Sequence, residues 1–230
     1  MSTRSLILSR AIELLAESPD GDISTRAVCE AAGVTQPVLY RQFGDKSGLL
    51  TAVADAVWDE YLEMKRAASP SEDPVADLRS GWDAHTGFAL AHPHAYRLVF
   101  ASGLDSPPAA LAEAMALLQD ALARIALRGR LRMDPSRAAR IVMAANSGVA
   151  LALILRPEEY RGTDASADAR EATLRGILVD APEDAQPVDG IAAAATAIRA
   201  LLARSSEEPA PFSPAEAALL DDWLARLPGG

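Results

Sequence analysis

Cysteine and lysine are nearly missing from this chain of 230 residues: Cys29 stands alone, and Lys46 and Lys65 are the only lysines. A single thiol excludes an internal disulfide framework and points to a cytoplasmic setting. No uninterrupted apolar segment approaches the ~20 residues needed to cross a bilayer, so no membrane partner is expected. The opening stretch MSTRSLILSRAIELL is broken by Ser9, Arg10 and Glu13, and reads as an amphipathic helix rather than a secretion signal. The signatures of common enzyme chemistry are also absent: no phosphate-cradling glycine loop, no Gly-x-Ser-x-Gly, no HExxH and no CxxC. The chain is therefore not read as an enzyme, and no cofactor is expected. Positive charge is scarce, with a net charge of -10, which taken alone argues against a protein that coats nucleic acid. The acidity is unevenly placed. Residues 1–50 hold five basic groups (Arg4, Arg10, Arg26, Arg41, Lys46) and six acidic ones (Glu13, Glu17, Asp20, Asp22, Glu30, Asp45), a sum of -1 that leaves -9 for the remainder.

Strand-like alternation is nearly absent, whereas apolar residues recur at three and four positions, the helical period. The fold class expected is all-α, in about ten helices. Asp73-Pro74, Ser106-Pro107, Asp134-Pro135 and Ser213-Pro214 each set a capping side chain before a proline at the first helical position, and Glu216 completes a capping box at the last. A first helix over residues 3–18 carries Leu6, Ile7, Ala11, Leu14 and Leu15 on one stripe. Ser24 caps a short helix that runs through Ala32, and Gly33 ends it. Thr35 caps the next, which reaches only to about Phe43. Two short helices joined by a three-residue, glycine-containing turn are the signature of a helix-turn-helix.

On the second of these helices Leu39 and Phe43 share one face, while Gln36, Pro37, Tyr40 and Arg41 share the opposite one. Gln and Arg can form paired hydrogen bonds to adenine and guanine, and such a helix reads base edges in the major groove with its N-terminal residues. Tyr40 and Lys46 are within reach of phosphates, and Thr25 and Arg26 open the preceding helix, where exposed amides favour a phosphate oxygen. The candidate DNA-binding set is Thr25, Arg26, Thr35, Gln36, Pro37, Tyr40, Arg41 and Lys46. The bland alternative is an ordinary helical hairpin with a polar surface.

The run GVTQPVLYRQFGDKSGLL, preceded by ISTRAVCEAA, resembles the DNA-binding domain of the TetR/AcrR family of bacterial transcriptional regulators over residues 4–53. The resemblance implies an N-terminal three-helix DNA-binding domain at 1–50 and a helical ligand-binding and dimerisation body at 51–230. A further run, GWDAHTGFALAHPHAYRLVF, is similar to a C-terminal body in one branch of these regulators, with Val99 in place of a methionine.

A regulator needs an input. Leu78, Trp82, His85 and Ala89 fall four, three and four residues apart, which sets His85 on the buried side of its helix, and Asn146 is embedded in the apolar run ARIVMAANSGVALALIL. That second helix is expected to be central to the body. Trp82, His85, Phe88, Tyr96, Phe100, Met143 and Asn146 form the candidate wall of a pocket for a small, mostly apolar effector. Equally, His85 and Asn146 can be core groups satisfied internally. His85, His92 and His94 are the only histidines, and with no cysteine or carboxylate cluster beside them no metal site is expected. After Lys46 a long helix is expected to turn Leu49, Leu50, Val53, Val57, Tyr61 and Met64 inward.

One helix-turn-helix reads few base pairs, so specific binding to operator DNA calls for a homodimer with heads roughly 34–36 Å apart, or a multiple of that. The alanine-rich segments 134–155 and 191–203 are both candidates for the dimer face, and an amphipathic C-terminal helix at 213–227 either covers the body or extends the interface. The expectation is a repressor of transcription that binds a palindromic operator and is released by its effector. The rival reading is a helical ligand carrier or enzyme that does not bind DNA.

Overall fold

The computed structural model of the chain describes residues 2–101, 108–179, 191–204 and 212–227. The Ser106-Pro107 helix start lies outside the described residues. Twelve helices occur among the rest: α1 (Thr3–Glu17), α2 (Thr25–Ala32), α3 (Gln36–Phe43), α4 (Lys46–Ala67), α5 (Pro74–Ala91), α6 (Pro93–Phe100), α7 (Ala109–Ala126), α8 (Pro135–Leu155), α9 (Pro157–Tyr160), α10 (Ala165–Ile177), α11 (Ile191–Arg204) and α12 (Pro214–Ala225). The fold is all-α, with a lone antiparallel bridge between Leu131 and Leu178 among the described residues.

The starts follow local chemistry. Ser24 accepts the Ala27 N–H at 3.1 Å, Asp73 accepts those of Val75 at 2.9 Å and Ala76 at 3.1 Å, and Asp134 accepts that of Arg137 at 2.9 Å. Ser213 and Glu216 close a reciprocal capping box. Thr35 departs from expectation: it stands at the cap of α3 but makes no side-chain cap bond. Pro37 has no N–H to offer, and the Val38 N–H goes to the Thr35 carbonyl at 3.0 Å.

The chain divides into two compact units. The first gathers the chain up to Ala68 with Thr86–Ala114 and Ala150–Arg161. Its core joins Ile7, Ala11 and Leu15 of α1, Val28 and Cys29 of α2, Leu39 of α3 and Leu49, Val53 and Ala54 of α4, with Leu98 of α6 closing it. Further along α4, Trp58 is wholly buried, stacked on Tyr96 at 5.8 Å between centroids and edge-on to Phe88 at 5.0 Å. Burial raises the pKa of both Tyr61 and Tyr96, since their phenolates have no water to solvate them. The buried stripe of α4 does not include Met64, which is 52% exposed. Four-residue steps from Leu49 to Val53, Val57 and Tyr61 advance about 40° each on a 3.6-residue helix, so the stripe winds toward Trp58 and Leu62 and away from Met64.

The second unit holds Ser69–His85, Met115–Val149 and the described chain from Gly162 onward. Val75, Leu78 and Trp82 of α5, Leu122 and Ile125 of α7, Ala138, Ala139 and Val142 of α8 and Leu174 and Ile177 of α10 form its core. Helix α8 is not central, contrary to its apolar composition. Ala138, Ala139, Val142, Asn146 and Ala150 are buried, while Ile141, Ala144 and Gly148 face outward. By length and composition, with mean hydropathy 1.8, it is the one helix among the described residues able to cross a membrane. The stricter criterion of an unbroken apolar run missed it, because Asn146 and Ser147 interrupt the run without lowering the average much.

Candidate nucleic-acid interface

The turn between α2 and α3 is built by glycine. Gly33 adopts φ +64, a conformation without steric cost only for a residue lacking a β-carbon. Its N–H bonds the Glu30 carbonyl at 3.3 Å and the Val34 N–H bonds that of Cys29 at 3.0 Å, the paired bonds of a Schellman turn. This reversal sends α3 off with Leu39 wholly buried and leaves Thr35, Gln36, Pro37, Tyr40 and Arg41 exposed on its other side.

Tyr40 is 39% exposed, and its hydroxyl lies 3.4 Å from the Thr25 Oγ1 at the start of α2. These two groups from adjacent helices therefore share one edge. Arg26 projects from α2, joined at 2.9 Å to Glu30 one turn on. Arg41 forms no ion pair among the described residues. Gly44 then ends α3 at φ +83, and Asp45 caps α4 by accepting the Gly48 N–H at 2.8 Å. Lys46, the first residue of α4, stands beside this cap, and its Nζ is 2.6 Å from the Asp22 carboxylate. The Arg4 guanidinium lies 4.9 Å from the centre of the Phe43 ring, at the inner end of α3.

All eight residues expected to face DNA are thus placed within α2, α3, their turn and the start of α4, and none of them is buried. Sequence reasoning missed the acidic partners: Asp22 is 24 positions from Lys46, and no local spacing announces their pairing. It also missed Gly48, whose lack of a side chain lets α4 start directly against the end of α3.

The seven residues named for an effector pocket divide between the two units. Phe88, Tyr96 and Phe100 belong to the first, gathered around Trp58, which the sequence reading overlooked. Trp82, His85, Met143 and Asn146 belong to the second. There His85 and Asn146 are buried, the Asn146 amide donates to the Trp82 carbonyl at 3.3 Å, and the Trp82 indole N–H donates to the Ser166 hydroxyl at 3.0 Å. Among the described residues no group of three His, Cys, Asp or Glu side chains is arranged to hold a metal.

Residues 7–53 match the family described as bacterial regulatory proteins, tetR family. Over 56 residues the chain is 41% identical to the HTH-type transcriptional regulatory protein RaaS of Mycobacterium tuberculosis. That alignment spans 24% of this chain and 26% of its relative, so the chain matches about a quarter of that relative's length. Solved structures extend the likeness of fold to most of the chain. A TetR-family transcriptional regulator of Pectobacterium atrosepticum has a TM-score of 0.58 at 23% identity, covering 81% of this chain and 96% of its own. SmeT, the repressor of the Stenotrophomonas maltophilia multidrug efflux pump SmeDEF, has a TM-score of 0.58 at 24% identity, covering 82% and 98%. SmeT is also known as a complex with triclosan, at TM-score 0.57 and 20% identity, covering 83% of this chain and all of that one. At such identities the structures show the fold alone, and the match to the tetR family of bacterial regulatory proteins rests on residues 7–53.

Proposed function

We propose that this protein regulates transcription as a repressor, binding a palindromic operator as a homodimer and leaving it when a small, mostly apolar effector binds the helical body. In this reading residues 1–50 are the DNA-reading head and residues 51–230 the ligand-binding and dimerisation body. The observation that carries the reading is the two-sidedness of α3, whose buried Leu39 anchors a helix with Gln36, Tyr40 and Arg41 open to the outside. Gln36 and Arg41 have the donor and acceptor sets to pair with adenine and guanine edges. Thr25, Tyr40 and Lys46 border them on either side, where phosphate contacts would fix the helix in register. The unused Thr35 hydroxyl, free of a capping duty, joins that border.

A second head must come from a second copy, and the outward apolar face of α8 supports a homodimer. Release by an effector requires that the ligand bind two conformations with different affinity. A mostly apolar effector suits the buried aromatic groups of the body, and SmeT, which shares the fold, binds triclosan.

The test is retardation of the duplex that flanks the protein's own gene. Tyr40→Ala and Lys46→Ala are expected to weaken binding while leaving fold and oligomeric state intact. Parental affinity in both variants would overturn the assignment of this face, and failure of the parent to bind would overturn the function.

A further inference from the structure

We propose that Asp22 and Glu30 are built-in counter-ions that compete with DNA phosphate for Lys46 and Arg26, so that they hold down the sequence-independent part of DNA binding. The inference rests on the DNA-reading function proposed above and goes beyond it by assigning a role to two acidic residues that touch no base.

Three of the five cations in residues 1–50 are engaged: Arg10 with Glu13 at 2.6 Å, Arg26 with Glu30 at 2.9 Å and Lys46 with Asp22 at 2.6 Å. Two of these are the cations placed to meet phosphate. Asp22 does not drift to its partner. Ser18 accepts the Gly21 N–H at 3.0 Å and donates to the Asp22 carbonyl at 2.8 Å, and the Asp22 carboxylate itself accepts the Ile23 N–H at 2.8 Å. Ile23 is buried, so the loop is anchored where the carboxylate stands. Lys46 is held by the first turn of α4. The pair is therefore formed by two backbone positions that the fold itself brings together.

Both pairs are solvent-exposed, with side chains 43% and 64% accessible in one and 84% and 67% in the other. Exposed pairs are weak enough for phosphate to displace. Displacement leaves a carboxylate beside the duplex, which must keep or gain a cation. Each such exchange cancels part of the counterion release that drives non-specific binding. The two of the five cations that form no ion pair among the described residues are Arg4, whose guanidinium lies over the Phe43 ring, and Arg41, on the base-reading face. The head is built so that a wrong sequence offers it little.

The test uses full-length protein and two fluorescein-labelled duplexes, one from the region flanking its own gene and one scrambled at equal length, titrated by anisotropy across a potassium chloride series. Asp22→Asn keeps an oxygen for the Ile23 N–H and removes the charge. It is expected to bind both duplexes more tightly, with a logarithmic salt slope steeper by about 0.9. That slope widens its advantage about 3.5-fold when salt falls four-fold. The gain should be the same factor on both duplexes, because phosphate contacts carry no sequence information, and should shrink when Lys46→Ala is also present. Glu30→Gln is expected to act likewise through Arg26. Parental slopes and affinities in both acidic variants, with the parent binding normally, overturn the proposal and leave the regulatory function standing. Failure of the parent to bind either duplex removes both.

Discussion

The backbone of Gly48 passes so close to the end of α3 that a β-carbon there would sit 2.1 Å from the carbonyl oxygen of Phe43. No rotamer relieves a clash of a first carbon with a backbone atom. Gly48 therefore sets how closely the first turn of α4, with Lys46, approaches α3.

Replacing Gly48 by alanine is expected to cost about 1–3 kcal/mol, the usual penalty for forcing atoms into a packed site, and to weaken DNA binding by displacing Lys46. Gly87→Ala is the control. Nothing lies within 4 Å of its added carbon, and it sits inside helix α5, so it should raise stability by roughly 0.5–1 kcal/mol. Urea unfolding of both variants measures the contrast, and equal midpoints would refute the steric argument.

What could be read from the sequence was what short-range chemistry decides. The Ser24 cap, the Gly33 reversal and the burial of Leu39 each depend on residues within a few positions, and each was legible. Met64 was misassigned because a four-residue period drifts around a long helix, a small error per step that matters by the fifth turn. Helix α8 was misassigned for a different reason. When nearly every side chain is apolar, composition cannot say which face is covered, and only packing against α5, α7 and α10 in the second unit selects Ala138, Val142 and Asn146. The Asp22–Lys46 pair joins elements that only the folded chain makes neighbours.

Acid should loosen the second unit at a defined place. Glu171 accepts two bonds from Arg79 at 3.0 Å each and one from Arg170 at 2.9 Å. These guanidiniums, Arg79 first, bring its pKa from an ordinary 4.5 down to about 2. A carboxyl whose pKa is lowered by folding contributes stability that is present above its unfolded value and lost as pH falls toward the folded one. The thermal midpoint is thus expected to drop between pH 4.5 and about 2 and to do so less in Glu171→Gln. Identical acid profiles for the two proteins would show that the pairing adds nothing.

The Asn146 amide donates to the Trp82 carbonyl, a bond that ties α8 to α5 within the second unit. If this polar spot answers an effector, Asn146→Ala should leave operator binding intact and abolish release by a compound found in a thermal-shift screen of small apolar molecules. A bound compound raises the midpoint with the logarithm of its concentration over its dissociation constant. Undiminished release in both Asn146→Ala and His85→Ala would remove these residues from the effector site.

The outward face of α8 makes the most direct demand on assembly. Ile141, Ala144 and Gly148 recur at three and four residues along one exposed stripe, and Leu155, 53% exposed, continues its line. Small residues at the middle of such a stripe allow another helix to approach closely, and apolar surface left in water is stabilised by about 25 cal/mol for each Å² that is covered. A charge placed on this stripe would have to be buried if a second copy docks there. Ile141→Glu is therefore expected to convert the protein to a monomer by light scattering, with the helical content by circular dichroism unchanged because position 141 is already open in the single chain. The same variant should lose operator affinity steeply while its residual binding to scrambled DNA falls less, since only two linked heads can engage both half-sites at once. A variant that stays dimeric would move the interface to another helix, and one that binds the operator as a monomer would end the two-headed account of recognition.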